Sequence, residues 1–86
     1  MYLKWDAETQ ELTAKIQKGA IKEVGINGCQ IDDVIAKCRE IVTGFNEKFP
    51  CRENAVAITK MQEAEMWLEQ RRKDREKRGV EGQNKL

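Results

Sequence analysis

The 86-residue sequence has no histidine, one proline and only three cysteines. Because Cys29, Cys38 and Cys51 show no CxxC spacing, neither a metal site nor a disulfide framework is predicted. No run approaches the roughly 20 apolar residues of a membrane-spanning helix, and the first residues do not form an apolar signal segment. These absences predict a cytoplasmic protein with reduced thiols, without a metal or a cofactor.

The sequence also lacks the residues of a catalytic site. Besides histidine, it has no Gly-x-Ser-x-Gly motif and no glycine-rich phosphate loop. Cys51 lies beside Arg52 at the predicted start of a helix, which favours a reactive thiol, but a packed or partly exposed thiol at a turn is the simpler interpretation. Asp32 and Asp33 could bind a cation, but capping of a helix is again the simpler interpretation. We therefore predict a protein that is not an enzyme.

The apolar residues recur with a helical period almost throughout. Asp6 is a candidate N-cap for a first helix over about 6–24, whose narrow apolar seam repeats every four residues from Leu12 to Val24. A wider apolar face follows, and the short connection around Pro50 predicts an antiparallel helical hairpin over about 32–78. A frayed tail is predicted at 79–86. The expected fold is all-α: one domain over 1–86, with a short N-terminal helix and a helical hairpin, assembling as a homo-oligomer because such a short chain buries little surface alone.

The basic residues are unevenly distributed. Residues 1–68 hold nine Lys and Arg against eleven Asp and Glu, whereas residues 69–78 hold six against three. Arg71, Arg72 and Arg75 lie on or beside one face of the predicted third helix. A solvated helix end explains this pattern, and so does anion binding, because guanidinium groups match phosphate well.

A second candidate region lies near the N-terminus. Tyr2 and Trp5 are close in sequence, and aromatic rings stack on nucleobases. Lys18 and Lys22 lie on the predicted first helix, where they either face water or reach phosphates. Periodicity alone favours packing for Trp5 and solvent exposure for the lysines.

Two segments resemble a known family. The stretch PCRENAVAITKMQEAEMWLEQRRKDREKRGVEG, residues 50–82, and the stretch NGCQIDDVI, residues 27–35, are similar to the phage-encoded anti-CBASS sponges of the second type, whose hairpin is shared with an anti-Thoeris sponge. The resemblance covers about two thirds of the chain well and the first 25 residues loosely.

The resemblance implies a homohexamer that sequesters cyclic oligonucleotides in the cytoplasm of an infected bacterial host, without cleaving them. Cyclic dinucleotides would bind between protomers, in contact with an aromatic residue and a lysine. The implied aromatic residue is Tyr2 or Trp5, and the implied lysine is Lys18 in preference to Lys22. Cyclic trinucleotides would occupy separate pockets in some members. The segment 50–82 that resembles the family also contains four implied phosphate contacts: Thr59, Arg71, Arg72 and Arg75.

Two other functions are compatible with the sequence. A small helical regulator would bind nucleic acid through residues 71–78, although Glu69, Asp74 and Glu76 would repel a continuous phosphate track. A protein-interaction module would instead dock a partner on Met61, Met66 and Trp67.

Overall fold

Two long antiparallel helices form the body of the protein. A computed structural model describes residues 1–79. It contains two strands and three helices, in the order β1 (Leu3–Asp6), β2 (Glu11–Ala14), α1 (Ile21–Val24), α2 (Ile31–Lys48) and α3 (Arg52–Lys77). The predicted tail lies, from residue 80 onward, outside the described residues.

The predicted hairpin is confirmed as the pair α2 and α3. At the start of α2, the Gln30 N–H donates to Asp33 Oδ2 at 3.2 Å. The turn between the helices is closed by the Cys51 N–H, which donates to Asn46 Oδ1 at 3.0 Å. Cys51 Sγ then accepts from the Asn54 N–H at 3.4 Å, so the thiol caps α3. Side chains on both sides of Pro50 therefore fix the reversal of the chain.

An ion pair joins the two long helices near the middle of the hairpin. Arg39 Nε donates to Glu65 Oε2 at 2.6 Å, and Arg39 Nη2 donates to Glu65 Oε1 at 3.3 Å. This two-point geometry suits a guanidinium and a carboxylate. The pair is half-buried and raises the pKa of Arg39, chiefly through its hydrogen bond with Glu65. It fixes the register of α2 against α3.

The predicted first helix over about 6–24 is wrong. Asp6 caps a turn instead of a helix, because its Oδ1 accepts from the N–H groups of Glu8 at 3.0 Å and Thr9 at 3.3 Å. Gln10 has φ 57°, and the chain reverses into an antiparallel pair of strands in which Trp5 faces Leu12. Helix in this region is limited to the single turn α1.

The described part of the chain has no fully buried hydrophobic side chain. Its dimensions are 44 × 26 × 11 Å, and the smallest is about the diameter of one helix with its side chains. The molecule is therefore one helical layer thick. Since a second layer is what normally buries the apolar face of a helix, large apolar side chains stay exposed, such as Phe49 at 78% and Trp67 at 67%. Within residues 1–79, no helix is both long and apolar enough to cross a membrane.

Candidate ligand-binding site

The two predicted lysines lie on a closed loop and not on a long helix. This lysine loop, residues 15–29, leaves the end of β2 and returns beside it. At its neck the Gln17 N–H donates to the Cys29 carbonyl at 2.8 Å, and the Cys29 N–H donates to the Lys15 carbonyl at 2.7 Å. Residues 16 and 29 form an isolated parallel bridge. The neck positions the loop as a unit against the start of α2.

Gly28 is required for this closure. The residue is buried, and a Cβ at this position would lie 2.5 Å from the carbonyl carbon of Ile16 and 2.6 Å from the nitrogen of Gln17. These atoms belong to the backbone of Ile16 and Gln17 on the opposite side of the neck, so they cannot move away as the end of a flexible side chain could. Gly28 thus allows two backbone segments to approach closely.

Two amide side chains fill the inside of the lysine loop. Gln17 Nε2 donates to the carbonyls of Gly19 at 3.2 Å and Gly25 at 2.9 Å, while Gln17 Oε1 accepts from the Asn27 N–H at 2.9 Å. Asn27 in turn bonds both backbone groups of Lys18. Its Oδ1 accepts from the Lys18 N–H at 2.8 Å, and its Nδ2 donates to the Lys18 carbonyl at 2.8 Å. Sequence reasoning missed both amides.

The lysine loop and the arginine-rich end of α3 meet at one end of the hairpin. Ile21 of the loop, the start of α2 and the last turns of α3 enclose a cavity of about 250 Å³, here called the cationic cleft. Its lining residues are Ile21, Gln30, Ile31, Asp32, Leu68, Arg71 and Arg72. Lys22 follows Ile21 in α1. The fold therefore brings the lysine loop, through Ile21, to a cleft that is lined by two arginines about 50 positions later in the sequence.

The basic side chains at this end differ in how far they are neutralised. Within the described part of the chain, Lys18, Lys22 and Arg71 form no ion pair. Arg72, by contrast, pairs with both Glu69 and Glu76. Unpaired cations such as these attract an anion from solvent more strongly than a neutralised one does.

The ion pairs of Arg72 shift its own pKa, and the pair with Glu69 shifts the pKa of that glutamate. The hydrogen bond with Glu69, followed by the charges of both carboxylates, raises the pKa of Arg72. The same hydrogen bond lowers the pKa of Glu69 below its ordinary value of 4.5. These acids on successive turns also interrupt the basic surface of α3, which disfavours a continuous track for duplex phosphates.

The remaining arginine of the predicted set has a different environment. Arg75 is 6% exposed and is engaged within the chain. It lies on α3 one turn beyond Arg71, and its surroundings differ from the open position of Arg71. The two arginines, which the sequence places on one face, are therefore not equivalent in the folded chain.

The two candidate aromatic residues line different clefts along α2. Tyr2 lies with Cys29 and the first half of α2 around a cavity of about 460 Å³, and its carbonyl accepts from the Lys15 N–H at 2.8 Å. Trp5 lies farther along, with Phe45 and Phe49, around a cavity of about 570 Å³. Tyr2 therefore borders the lysine loop, whereas Trp5 is near the turn of the hairpin.

Thr59 lies away from this end of the hairpin. It precedes Arg71 by twelve positions on α3, a distance of about 18 Å along the helix axis. Its hydroxyl donates to the Ala55 carbonyl at 3.2 Å and is exposed. Among the predicted residues, Arg71 and Arg72 line the cationic cleft, and Lys22 follows its lining residue Ile21. Tyr2 and Trp5 line two other clefts, and Thr59 lies farther along α3.

Comparisons with known proteins identify a family that shares most of this chain. The family model described as Acb2/Tad1, hairpin domain, matches residues 8–72. Thoeris anti-defense 1 of Bacillus phage SBSphiJ7 is 49% identical over 71 residues, which is 81% of this chain and 50% of that protein. The chain therefore spans about half the length of this curated relative. The family match includes β2, the lysine loop, α2 and most of α3.

Proposed function

Because this chain belongs to the Acb2/Tad1 hairpin-domain family, we propose that it is a phage immune-evasion protein that sequesters a cyclic oligonucleotide second messenger. Members of the family are non-enzymatic sponge proteins that bind signalling molecules. The observation that carries the proposal for this chain is the cationic cleft, where Arg71 and Arg72 of α3 meet the lysine loop at Ile21, the residue before Lys22, within the family's matched region.

The chemistry of the cleft suits a cyclic dinucleotide. Such a ligand carries two phosphates, and Arg71 together with Lys18 or Lys22 supplies donors without a competing carboxylate within 4 Å. Asp32, on the same lining, accepts hydrogen bonds and therefore suits the amino or hydroxyl group of a nucleoside. Tyr2 borders the loop and offers a stacking surface, which favours Tyr2 over Trp5 as the aromatic contact.

A homohexamer is part of the proposal. The described chain is a layer 11 Å thick without a buried apolar core, so association is the available way to cover Phe49 and Trp67. Pockets between subunits would enclose a ligand that one chain leaves open. Thr59, on the exposed middle of α3, and Arg72 and Arg75, nearer its end, are proposed contacts of a second ligand, a cyclic trinucleotide, at such interfaces.

A titration with a panel of cyclic dinucleotides and trinucleotides tests sequestration. After saturation, the complex is heated and the released nucleotide is identified by mass spectrometry. We expect tight binding, with nanomolar affinity corresponding to about −12 kcal/mol, and recovery of the intact cyclic compound. Recovery of a linear product would replace the sponge with a nuclease.

Charge removal locates the site. Lys18→Met should weaken binding of the dinucleotide without dissociating the oligomer, since Lys18 is exposed and pairs with no described carboxylate. Lys60→Met is the matched control, because Lys60 pairs with Glu63 at 3.7 Å in the middle of α3. If Lys48→Met, at the Trp5 cleft, weakens binding while Lys18→Met does not, the site lies near the hairpin turn.

Infection assays decide which defence system is blocked. The relative's name refers to Thoeris, whereas the resemblance of residues 50–82 points to CBASS. The protein should be expressed in the cytoplasm of hosts carrying either system, and plaques of a sensitive phage counted. Protection of the phage in the CBASS host supports our proposal, and protection confined to the Thoeris host would reassign the signal that is bound.

A further inference from the structure

Asn27 holds the backbone of Lys18 at both of its polar groups. The Lys18 N–H donates to Asn27 Oδ1 and the Lys18 carbonyl accepts from Asn27 Nδ2, each at 2.8 Å. An asparagine side chain has one carbonyl and one amino group, so this pairing resembles the two bonds of a strand partner. The two residues are nine positions apart, which means that the contact spans the loop and is not a local turn.

Asn27 is itself held in place. Its backbone N–H donates to Gln17 Oε1 at 2.9 Å, and the other end of the Gln17 amide donates to Gly25 at 2.9 Å and Gly19 at 3.2 Å. The two amides therefore connect both sides of the lysine loop. Asn27 is half-buried, and its N–H bond with Gln17 is partly shielded, so water competes less well for this bond than at a fully exposed position.

From this geometry we infer that Asn27 is a positioning residue that fixes the Lys18 backbone so that the lysine meets the ligand in a preorganised loop. The inference rests on the proposed function, in which Lys18 contacts a phosphate of a cyclic oligonucleotide. Asn27 bonds only to the backbone of Lys18 and leaves the ammonium group available. A loop that is ordered before binding does not lose that backbone freedom when the ligand arrives, so affinity rises without an added ligand contact.

A double-mutant cycle separates positioning from general stability. The affinity for a cyclic dinucleotide is measured in the full-length protein, in Asn27→Ala, in Lys18→Met and in the double variant. We expect Asn27→Ala to weaken binding about tenfold, equivalent to about 1.4 kcal/mol, when Lys18 is present. In the Lys18→Met background the same change should weaken binding less than about twofold, because the side chain that it positions is gone.

Asn46→Ala is the matched control. Asn46 also bonds a backbone group through its side chain, the N–H of Cys51 at 3.0 Å, but at the opposite end of the hairpin. This variant should lose a similar amount of thermal stability and bind the nucleotide as the parent does. Equal weakening by Asn27→Ala in both lysine backgrounds, or no weakening in either, would overturn the positioning role.

Amide hydrogen exchange, measured at residue resolution by NMR, tests the contact without a ligand. The Lys18 N–H should be protected in the parent and should exchange faster in Asn27→Ala. If Asn27→Ala does not fold, Gln17→Ala takes its place in the cycle, because it releases Asn27 while leaving the Asn27 side chain present. An unprotected Lys18 N–H in the parent would overturn the inference, whereas a protected one in a protein that binds no cyclic nucleotide would overturn the proposed function.

Discussion

Replacing Gly28 with alanine should open the neck of the lysine loop. The added Cβ would lie 2.5 Å from the Ile16 carbonyl carbon, 2.6 Å from the Gln17 nitrogen and 2.7 Å from the Ile16 oxygen. Contacts this short cannot persist, and all three atoms belong to the backbone. The strands of the neck must therefore separate, which breaks the bonds that Cys29 makes with Lys15 and Gln17.

The size of the effect follows from what is lost. If the neck opens, two backbone hydrogen bonds of about 1 kcal/mol each are lost; if it stays partly closed, crowding of the packed position costs about 1–3 kcal/mol instead. We expect the free energy of unfolding to fall by about 2–3 kcal/mol. For a domain of 60–100 residues this lowers Tm by roughly 8–24 °C.

The assay is thermal unfolding at one fixed protein concentration, because the stability of an oligomer depends on concentration. Gly44→Ala is the matched control, since no atom lies within 4 Å of a Cβ built at Gly44 in the interior of α2. Alanine there should raise the free energy of unfolding by about 0.5–1 kcal/mol through helix propensity. A Gly28→Ala protein with an unchanged Tm, or with a Tm raised as in Gly44→Ala, would refute the closed neck.

Three further predictions concern ion pairs and assembly. Glu69→Gln should be less stable than the parent above about pH 5, because the ion pair with Arg72 requires the carboxylate of Glu69. The difference in stability should vanish as the pH falls through the lowered pKa of Glu69. Thermal unfolding of both proteins from pH 3 to 7 measures this difference. Arg39→Met should destabilise the hairpin more than Glu65→Gln, because Arg39→Met leaves the half-buried carboxylate of Glu65 without its cation. Urea unfolding of the two variants measures this difference. Trp67→Ser should shift the mass measured by light scattering towards the monomer if Trp67 is covered by another subunit; a parent that is itself a monomer would contradict the proposed assembly.

The hairpin was predictable because its signals are local. Apolar residues such as Ile35, Val42 and Phe45 recur at helical spacing, and Pro50 marks the reversal between two long patterns. The predicted range of about 32–78 differs from the observed Ile31–Lys48 and Arg52–Lys77 by one residue at either end. Neither signal depends on residues that are distant in sequence.

The first 25 residues could not be assigned in the same way. The seam from Leu12 to Val24 fits a period of four, but Leu12, Ala14 and Ile16 also fit the period of two of a strand. Asp6 serves equally as a helix cap or as the first residue of a turn. The choice is made by pairs such as Trp5 with Leu12 and residue 16 with Cys29, which a single sequence does not reveal.

The candidate site, too, was predictable only where it depends on residues that are close in sequence. Glu69 and Glu76 stand three positions before and four positions after Arg72, so the neutralisation of that arginine follows from helical spacing. The positions of Gln17 and Asn27 do not, because their bonds cross a loop between residues eight to ten positions apart. The separation of Tyr2 from Trp5 into different clefts also depends on how the strands lie against α2.

The geometry of the cationic cleft connects affinity to assembly. Its volume of about 250 Å³ is below the roughly 300–1,000 Å³ of sites that enclose a small molecule. It lies at the rim of a layer 11 Å thick, so a ligand with phosphates on two sides of a ring meets protein on only one of them. Under the proposed function, the cleft of one chain, lined by Arg71 and Arg72, would supply one half of the site. A second copy that places its own cationic cleft against the same ligand would supply the other half. It would also cover apolar surface that a single chain leaves open to water.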